Sequence, residues 1–144
     1  MKQLILQRVI PLTVISFATL TKWWYTLPID APQTFYSGFP LPYVGDGWGS
    51  SMTLQFFALE FILDLLFYFC CWLVLIYCFN RFVVKIKVFK TITILLYCFA
   101  VLLISGSALI LFHKGNSIKL YRDHDMNVLE TGFKFNWEYL ERPK

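Results

Sequence analysis

The chain has 144 residues, of which 58% are hydrophobic and 15% are charged, whereas a soluble domain of this size has about 45–50% apolar and about 25% charged residues. The apolar residues fall in three blocks, which excludes an ordinary soluble fold and predicts an all-α integral membrane protein with three transmembrane helices, at about residues 4–25, 52–80 and 91–112. The formal net charge of +4 comes largely from basic residues at the ends of these blocks. It therefore predicts a membrane topology and no nucleic-acid partner.

The first predicted helix, residues 4–25, follows a basic N-terminus and ends in Trp23, Trp24 and Tyr25. Aromatic rings of this kind are enriched at the membrane–water interface. A secretory signal peptide shares the basic start and the short apolar core, but no small-residue cleavage site follows here. We therefore expect a signal-anchor helix, with a cleaved signal peptide as the alternative.

Residues 26–50 combine four prolines and four glycines with several aromatic side chains. Proline and glycine at this density disfavour a regular helix, so the sequence predicts an extracytoplasmic loop. The loop could lie flat at the membrane interface on its aromatic rings. Alternatively, it could form a structured cap that contacts a partner or lipid. The candidate contact residues are Tyr43, Asp46 and Trp48.

The second predicted helix, residues 52–80, carries Glu60 and Asp64 one helical turn apart in an apolar run. A charged side chain at the bilayer centre costs about 3 kcal/mol on insertion scales, so such acids face a partner or a water-filled cavity. Three explanations compete. The acids could find a partner within the chain, for which Lys22 is the candidate; they could pair with another subunit; or they could bind or relay a proton or a metal cation.

Residues 81–90 connect the second and third predicted helices and contain four basic residues and no acid, namely Arg81, Lys85, Lys87 and Lys90. A short basic connection of this kind stays in the cytoplasm. The N-terminus is then cytoplasmic and the C-terminus periplasmic, in a predicted bacterial inner membrane. The same four residues are candidates for binding anionic lipid headgroups.

The third predicted helix, residues 91–112, carries a stripe of small residues formed by Cys98, Ser105, Gly106 and Ala108. Small residues let membrane helices approach one another closely. We expect this stripe to pack against another helix, although small residues could also occur here by chance.

Residues 113–144 form a polar tail that the sequence separates from the membrane domain at 1–112. Apolar residues alternate with polar ones around Ile118 and around Phe133, which is the period of a half-buried strand. The sequence therefore predicts a short β-prone extracytoplasmic tail, with two strands in a hairpin and Gly132 at the turn.

The sequence contains no catalytic triad pattern and no metal-binding spacing, and its four cysteines all lie in apolar blocks. We therefore expect neither enzymatic activity nor a cofactor, a metal or a disulfide framework. The predicted function is a non-catalytic accessory or scaffold subunit of a larger membrane complex, which uses the intramembrane carboxylates and the aromatic outer loop for subunit contacts. Its expected partners are membrane lipids and other membrane subunits or further copies of itself. The alternative is a proton- or cation-coupled transporter or channel subunit that acts through Glu60 and Asp64.

Overall fold

The chain folds as a mixed α/β protein in a computed structural model, with three helices and a six-stranded sheet in the described part of the chain. The prediction of an all-α protein with three spans is therefore wrong. The structure describes residues 2–28, 34–47, 53–83, 89–113, 115–122, 126–136 and 138.

Two of the three helices are long and apolar enough to cross a membrane, at 26 and 22 residues, because a span needs about 20 apolar residues. Helix α1 is shorter, with an apolar part of only Ile5–Thr19. The bounds are Lys2–Leu4, a π-helical segment Ile5–Val9 and Ile10–Thr19 for α1; Ala58–Cys78 with a π-helical segment Phe79–Val83 for α2; and Lys90–Leu111 for α3.

The six strands form one sheet in the order β5-β4-β3-β2-β1-β6. All neighbouring strands are antiparallel except β4 and β5, which are parallel. The bounds are Leu20–Pro28 for β1, Thr34–Ser37 for β2, Val44–Asp46 for β3, Leu54–Phe57 for β4, Ser117–Lys119 for β5 and Met126–Phe135 for β6.

The first predicted helix ends earlier than expected, because β1 begins at Leu20. Trp24 lies opposite Tyr36 in the sheet instead of at the end of a helix. Aromatic and β-branched residues form strands readily once a partner strand is available. The local sequence pattern of a strand rich in aromatic residues is the same as that of an aromatic helix end at a membrane interface. Pairing with β2 and β6 is what makes residues 20–28 a strand.

Residues 26–50 contain β2 and β3, although the sequence predicted an irregular loop. Strand β4 replaces the first turn of the second predicted helix, so α2 begins only at Ala58. Of the aromatic side chains that suggested an interfacial loop, Phe35 and Tyr36 belong to β2, whereas Phe39 and Tyr43 lie in the β2–β3 loop. Tyr36, for example, is completely buried and stacks on Phe57 with a centroid distance of 6.3 Å.

The predicted C-terminal hairpin is also wrong, since β5 and β6 lie at opposite edges of the sheet. Strand β6 pairs with β1 over most of its length. Gly132 lies inside β6 opposite Trp23, not in a turn. A Cβ at this glycine would lie 2.6 Å from Trp23 Nε1, so the close packing of the indole requires glycine.

The sheet joins segments from both sides of the α2–α3 pair, which we call the helical hairpin. Strand β4 leads directly into α2, β5 follows α3, and the two strands are hydrogen-bonded neighbours. The start of α2 and the end of α3 therefore lie together at the sheet. Helix α1 packs against both α2 and α3, which contact each other only sparsely.

Candidate functional site

Asp64 lies in the second turn of α2 and is completely buried beneath the β2–β3 loop. The Leu41 N–H donates a hydrogen bond to Asp64 Oδ1 over 2.9 Å. Leu41 stands between Pro40 and Pro42, neither of which has an N–H group. The carboxylate therefore satisfies the one amide donor that this Pro-Leu-Pro segment offers, and it fastens the loop to the helix.

Glu60 binds a different segment, the one that follows β5. Its Oε1 accepts a hydrogen bond from the Arg122 N–H over 3.2 Å. One residue earlier, the Leu59 N–H donates to the Leu120 carbonyl over 2.9 Å. Backbone N–H groups in the first turn of a helix have no partner within the helix, so Leu120 satisfies one of them. Both contacts fasten the end of β5 to the start of α2.

Lys22 was the candidate partner of these acids within the chain, but the contact that the structure shows for its side chain is with Trp24. Its ammonium group lies 3.8 Å from the centroid of the Trp24 ring, the geometry of a cation–π interaction. The described hydrogen bonds of Asp64 and Glu60 come from backbone amides instead. The structure thus brings each acid together with a loop segment and does not show it with this cation.

Tyr43 joins the β2–β3 loop to both neighbouring helices. Its ring stacks on Phe17 of α1 at 5.2 Å and meets Phe61 of α2 edge-on at 5.5 Å. Burial raises the pKa of the Tyr43 hydroxyl above its ordinary value, and the charge of Asp64 acts in the same direction. Tyr43 is therefore a packed part of this junction. Of the other loop candidates, Asp46 is exposed at the end of β3, and Trp48 lies outside the described residues.

Two further polar side chains of α2 hold the end of α1. The Tyr68 hydroxyl donates to the Leu20 carbonyl over 2.8 Å, and Trp72 Nε1 donates to Ser16 Oγ over 2.8 Å. Leu20 is the first residue of β1. These contacts therefore hold α2 against the point at which the chain passes from helix to strand.

A cavity of about 560 Å³ lies where the three helices meet the sheet, and we call it the junction cavity. Among the residues that the structure describes, those that line the cavity carry no charged side chain, and most are apolar. It is lined by Val14, Phe17, Ala18, Tyr43, Val44, Leu54, Phe56, Phe61, Leu65, Ile104, Ser107, Ala108, Ile110, Leu111, Asn116 and Asn136. Sequence reasoning missed this cavity because its walls come from segments far apart in the chain.

The stripe of small residues on α3 meets no other helix within the described residues. Cys98 and Ser105 are exposed, and a Cβ at Gly106 would meet nothing within 4 Å. Ala108 is half-buried and lines the junction cavity. The residue of α3 that is packed is Ala100, which is 3% exposed. Packing of the stripe against another subunit stays a prediction.

Of the four basic residues at 81–90, where α2 ends and α3 begins, two lie within the described residues. Arg81 is exposed in the last turn of α2, and Lys90 is exposed at the first residue of α3. Lys85 and Lys87 lie outside the described residues. The two described cations are thus at the end of the hairpin away from the sheet.

Across the part of the chain that the structure describes, no group of three or more His, Cys, Asp and Glu side chains is placed to hold a metal ion. All four cysteines are free thiols at exposed positions. No protein-family model, no curated protein and no solved structure matches the chain. The chemistry of the site therefore has to be interpreted from its own geometry.

Proposed function

We propose that this chain is a non-catalytic accessory subunit of a membrane protein complex. In this proposal α2 and α3 anchor it in a bacterial inner membrane, and the sheet lies on the periplasmic side. The N-terminus is directed toward the cytoplasmic side, because Leu6 accepts a hydrogen bond from Tyr97 in the half of α3 remote from the sheet. The exposed cations Arg81 and Lys90 favour the same orientation, since basic residues are enriched on the cytoplasmic side.

The outward face of α3 is the observation that carries this proposal. At about 100° per residue, Cys98 and Ser105 lie on the side of the helix opposite the buried Ala100. Gly106 borders this face with open space beside it. A bilayer gives apolar helices no hydrophobic drive to associate, so close approach at small residues is what stabilises helix pairs. A helix of another subunit fits this face.

The positions of the acids favour this proposal over an ion-coupled transporter. Asp64 Oδ1 and Glu60 Oε1 both accept hydrogen bonds from backbone amides of the fold. An acid that holds two segments of the protein together is poorly suited to exchanging a proton or a cation during transport. The accessory role therefore depends on the surface of the helical hairpin and not on these carboxylates.

The substitution Ser105→Leu tests the proposal. A leucine here places a bulky side chain on the face where close approach is required, and we expect it to reduce the amount of co-purified membrane subunit by about tenfold, the equivalent of about 1.4 kcal/mol. The readout is quantitative mass spectrometry of proteins purified with the chain from native membranes.

Val74→Leu is the matched control, because Val74 is 56% exposed on α2 and away from the small-residue stripe. We expect this variant to retain its partner in full, and both variants to unfold at the wild-type temperature. The proposal is wrong if wild-type protein purifies without a stoichiometric partner, or if Ser105→Leu keeps that partner.

A further inference from the structure

We propose that the junction cavity is a binding site for a hydrocarbon chain of an uncharged lipid, of the diacylglycerol type. This inference concerns a different surface from the proposed subunit contact, but it rests on the proposed anchoring of α2 and α3 in a membrane. It rests on the position of the cavity, on the chemistry of its walls and on the polar groups at its sheet end.

The cavity lies between the two helices that are long enough to cross a membrane. Phe61 and Leu65 of α2 form one wall, and Ile104 and Ala108 of α3 form another. Leu65 is seven residues into α2, which places it about 10 Å along the helix from the sheet. The cavity is open to its surroundings. With α2 and α3 anchored in a membrane as proposed, the surroundings at this depth would be the hydrocarbon chains of the bilayer.

The walls suit a hydrocarbon chain and disfavour a charged ligand. The described part of the chain contributes no charged residue to the lining, so an ionised group that entered the cavity would lose its hydration without gaining a counter-charge from these walls. An apolar cavity of this kind does not retain water well. Its volume of about 560 Å³ lies within the range of about 300–1,000 Å³ that is typical of small-molecule sites. A lipid chain can fill this space by sliding in from the bilayer.

Polar groups at the sheet end of the cavity favour an uncharged polar head. Asn116 is committed to the fold, because its Oδ1 accepts from the Leu54 N–H and its Nδ2 donates to the Ile110 carbonyl. Asn136 Nδ2 donates to the Ala18 carbonyl, which directs this side chain at the end of α1. Asn136 and Ser107 both line the cavity, and an amide oxygen and a hydroxyl are the groups that can bond to the hydroxyl and ester groups of a diacylglycerol.

The test uses the full chain in phosphatidylcholine nanodiscs that contain a trace of diacylglycerol with a photoactivatable acyl chain. We expect saturable labelling of peptides from Phe61–Leu65 and Ile104–Leu111, which unlabelled diacylglycerol competes away at low excess. Phosphatidylglycerol, which has similar chains and a charged head, is expected to compete at least tenfold less well.

The variants Ala108→Phe and Val101→Phe make the test specific to the cavity. Phenylalanine at residue 108 fills space in the cavity, and we expect it to lower the labelling about tenfold. Val101 is 57% exposed and lies outside the lining, so Val101→Phe should leave the labelling unchanged. If Ala108→Phe lowers the unfolding temperature, Ser107→Leu replaces it, because Ser107 is exposed and also lines the cavity.

Labelling that does not saturate, or that a folded cavity-filling variant retains, overturns the inference and identifies the lipid as bulk bilayer. Equal competition by phosphatidylglycerol overturns the assignment to an uncharged head. Displacement of the probe only by the co-purified subunit would show that a protein segment occupies the cavity, and this would also overturn it. Loss of the partner through Ser105→Leu alters none of these readouts, so the two proposals can fail separately.

Discussion

Helices α2 and α3 are similarly apolar in sequence but are held by the rest of the protein in different ways. Along α2, Glu60, Asp64, Tyr68 and Trp72 each make a side-chain hydrogen bond to another segment. Along α3, Tyr97 is the one side chain that does so among the described residues, while Thr93 and Ser105 bond back to their own helix. Polar side chains that recur in an apolar helix thus indicate the helix that carries tertiary contacts.

The two helices are also held in the fold by different kinds of interaction. Helix α2 depends on side-chain hydrogen bonds to other segments, in which Glu60 and Asp64 accept and Tyr68 and Trp72 donate. Helix α3 depends on close packing of one face, at Ala100, against its neighbours. A substitution in α2 should therefore destabilise the protein when it removes a hydrogen-bond partner. A substitution in α3 should destabilise it when it changes the volume of a packed side chain.

The largest effect is expected from Asp64→Leu. This change removes the acceptor of the Leu41 N–H in a buried position, and an unsatisfied buried donor costs about 1–3 kcal/mol. Chemical unfolding in detergent should show a loss near the upper end of that range, and limited proteolysis should cut the β2–β3 loop faster. Asp64→Asn keeps an acceptor oxygen and should lose less than half as much. A wild-type unfolding curve for Asp64→Leu would contradict the role of this contact.

A smaller effect is expected from Ala100→Leu on α3. Ala100 is 3% exposed, and overpacking a well-filled position costs about 1–3 kcal/mol. Val101→Leu on the exposed side is the matched control and should stay within about 0.5 kcal/mol of wild type. The same unfolding assay measures both variants. Equal effects at residues 100 and 101 would show that α3 is not packed on one side only.

The smallest effect is expected from Tyr43 and appears only at alkaline pH. The pKa of its hydroxyl is higher in the folded protein than in the unfolded chain, because burial disfavours the ionised form. The folded state then holds this proton more tightly than the unfolded chain does. The contribution of Tyr43 to the free energy of unfolding is therefore constant below about pH 10 and falls as the pH rises above it.

Tyr43→Phe removes this titration, so its stability should fall less steeply between about pH 10 and 11.5 than that of the wild type. Tyr121→Phe is the matched control for the loss of one hydroxyl, since its ring is 59% exposed. Unfolding curves at each pH compare the three proteins. A slope for Tyr43→Phe as steep as that of the wild type would remove Tyr43 from the alkaline transition.

The local hydrophobic pattern of the sequence predicted the positions of some helices and strands well and of others poorly. The third predicted helix, at 91–112, coincides closely with Lys90–Leu111, because a mostly apolar run of 22 residues without proline allows little else. The alternation of apolar and polar residues predicted strands in the tail, but it did not predict the strands with which they pair. Pairing of β6 with β1 depends on a segment more than a hundred residues earlier, around Trp23, and no local period identifies it.

The candidate site shows the same limit. The sequence identified Asp64 as an acid that needs a partner, but it favoured a cation over an amide. The relevant signal was the Pro-Leu-Pro segment, in which Leu41 alone has a backbone N–H, and Asp64 accepts the hydrogen bond from that N–H. The junction cavity gave no such signal, because each of its walls appears in the sequence as an ordinary apolar residue.

The pairing of β4 with β5 has a consequence for the order of biogenesis. Four strands are synthesised before the helical hairpin and two after it, and Leu20 must meet Phe135 to complete the sheet. If the hairpin crosses a membrane, the last two strands reach the sheet only after the second crossing has been translocated. Until then the edges of β4 and β1 are open, and open strand edges recruit other chains. If the hairpin crosses a membrane, completion of the sheet therefore requires that both crossings have been inserted.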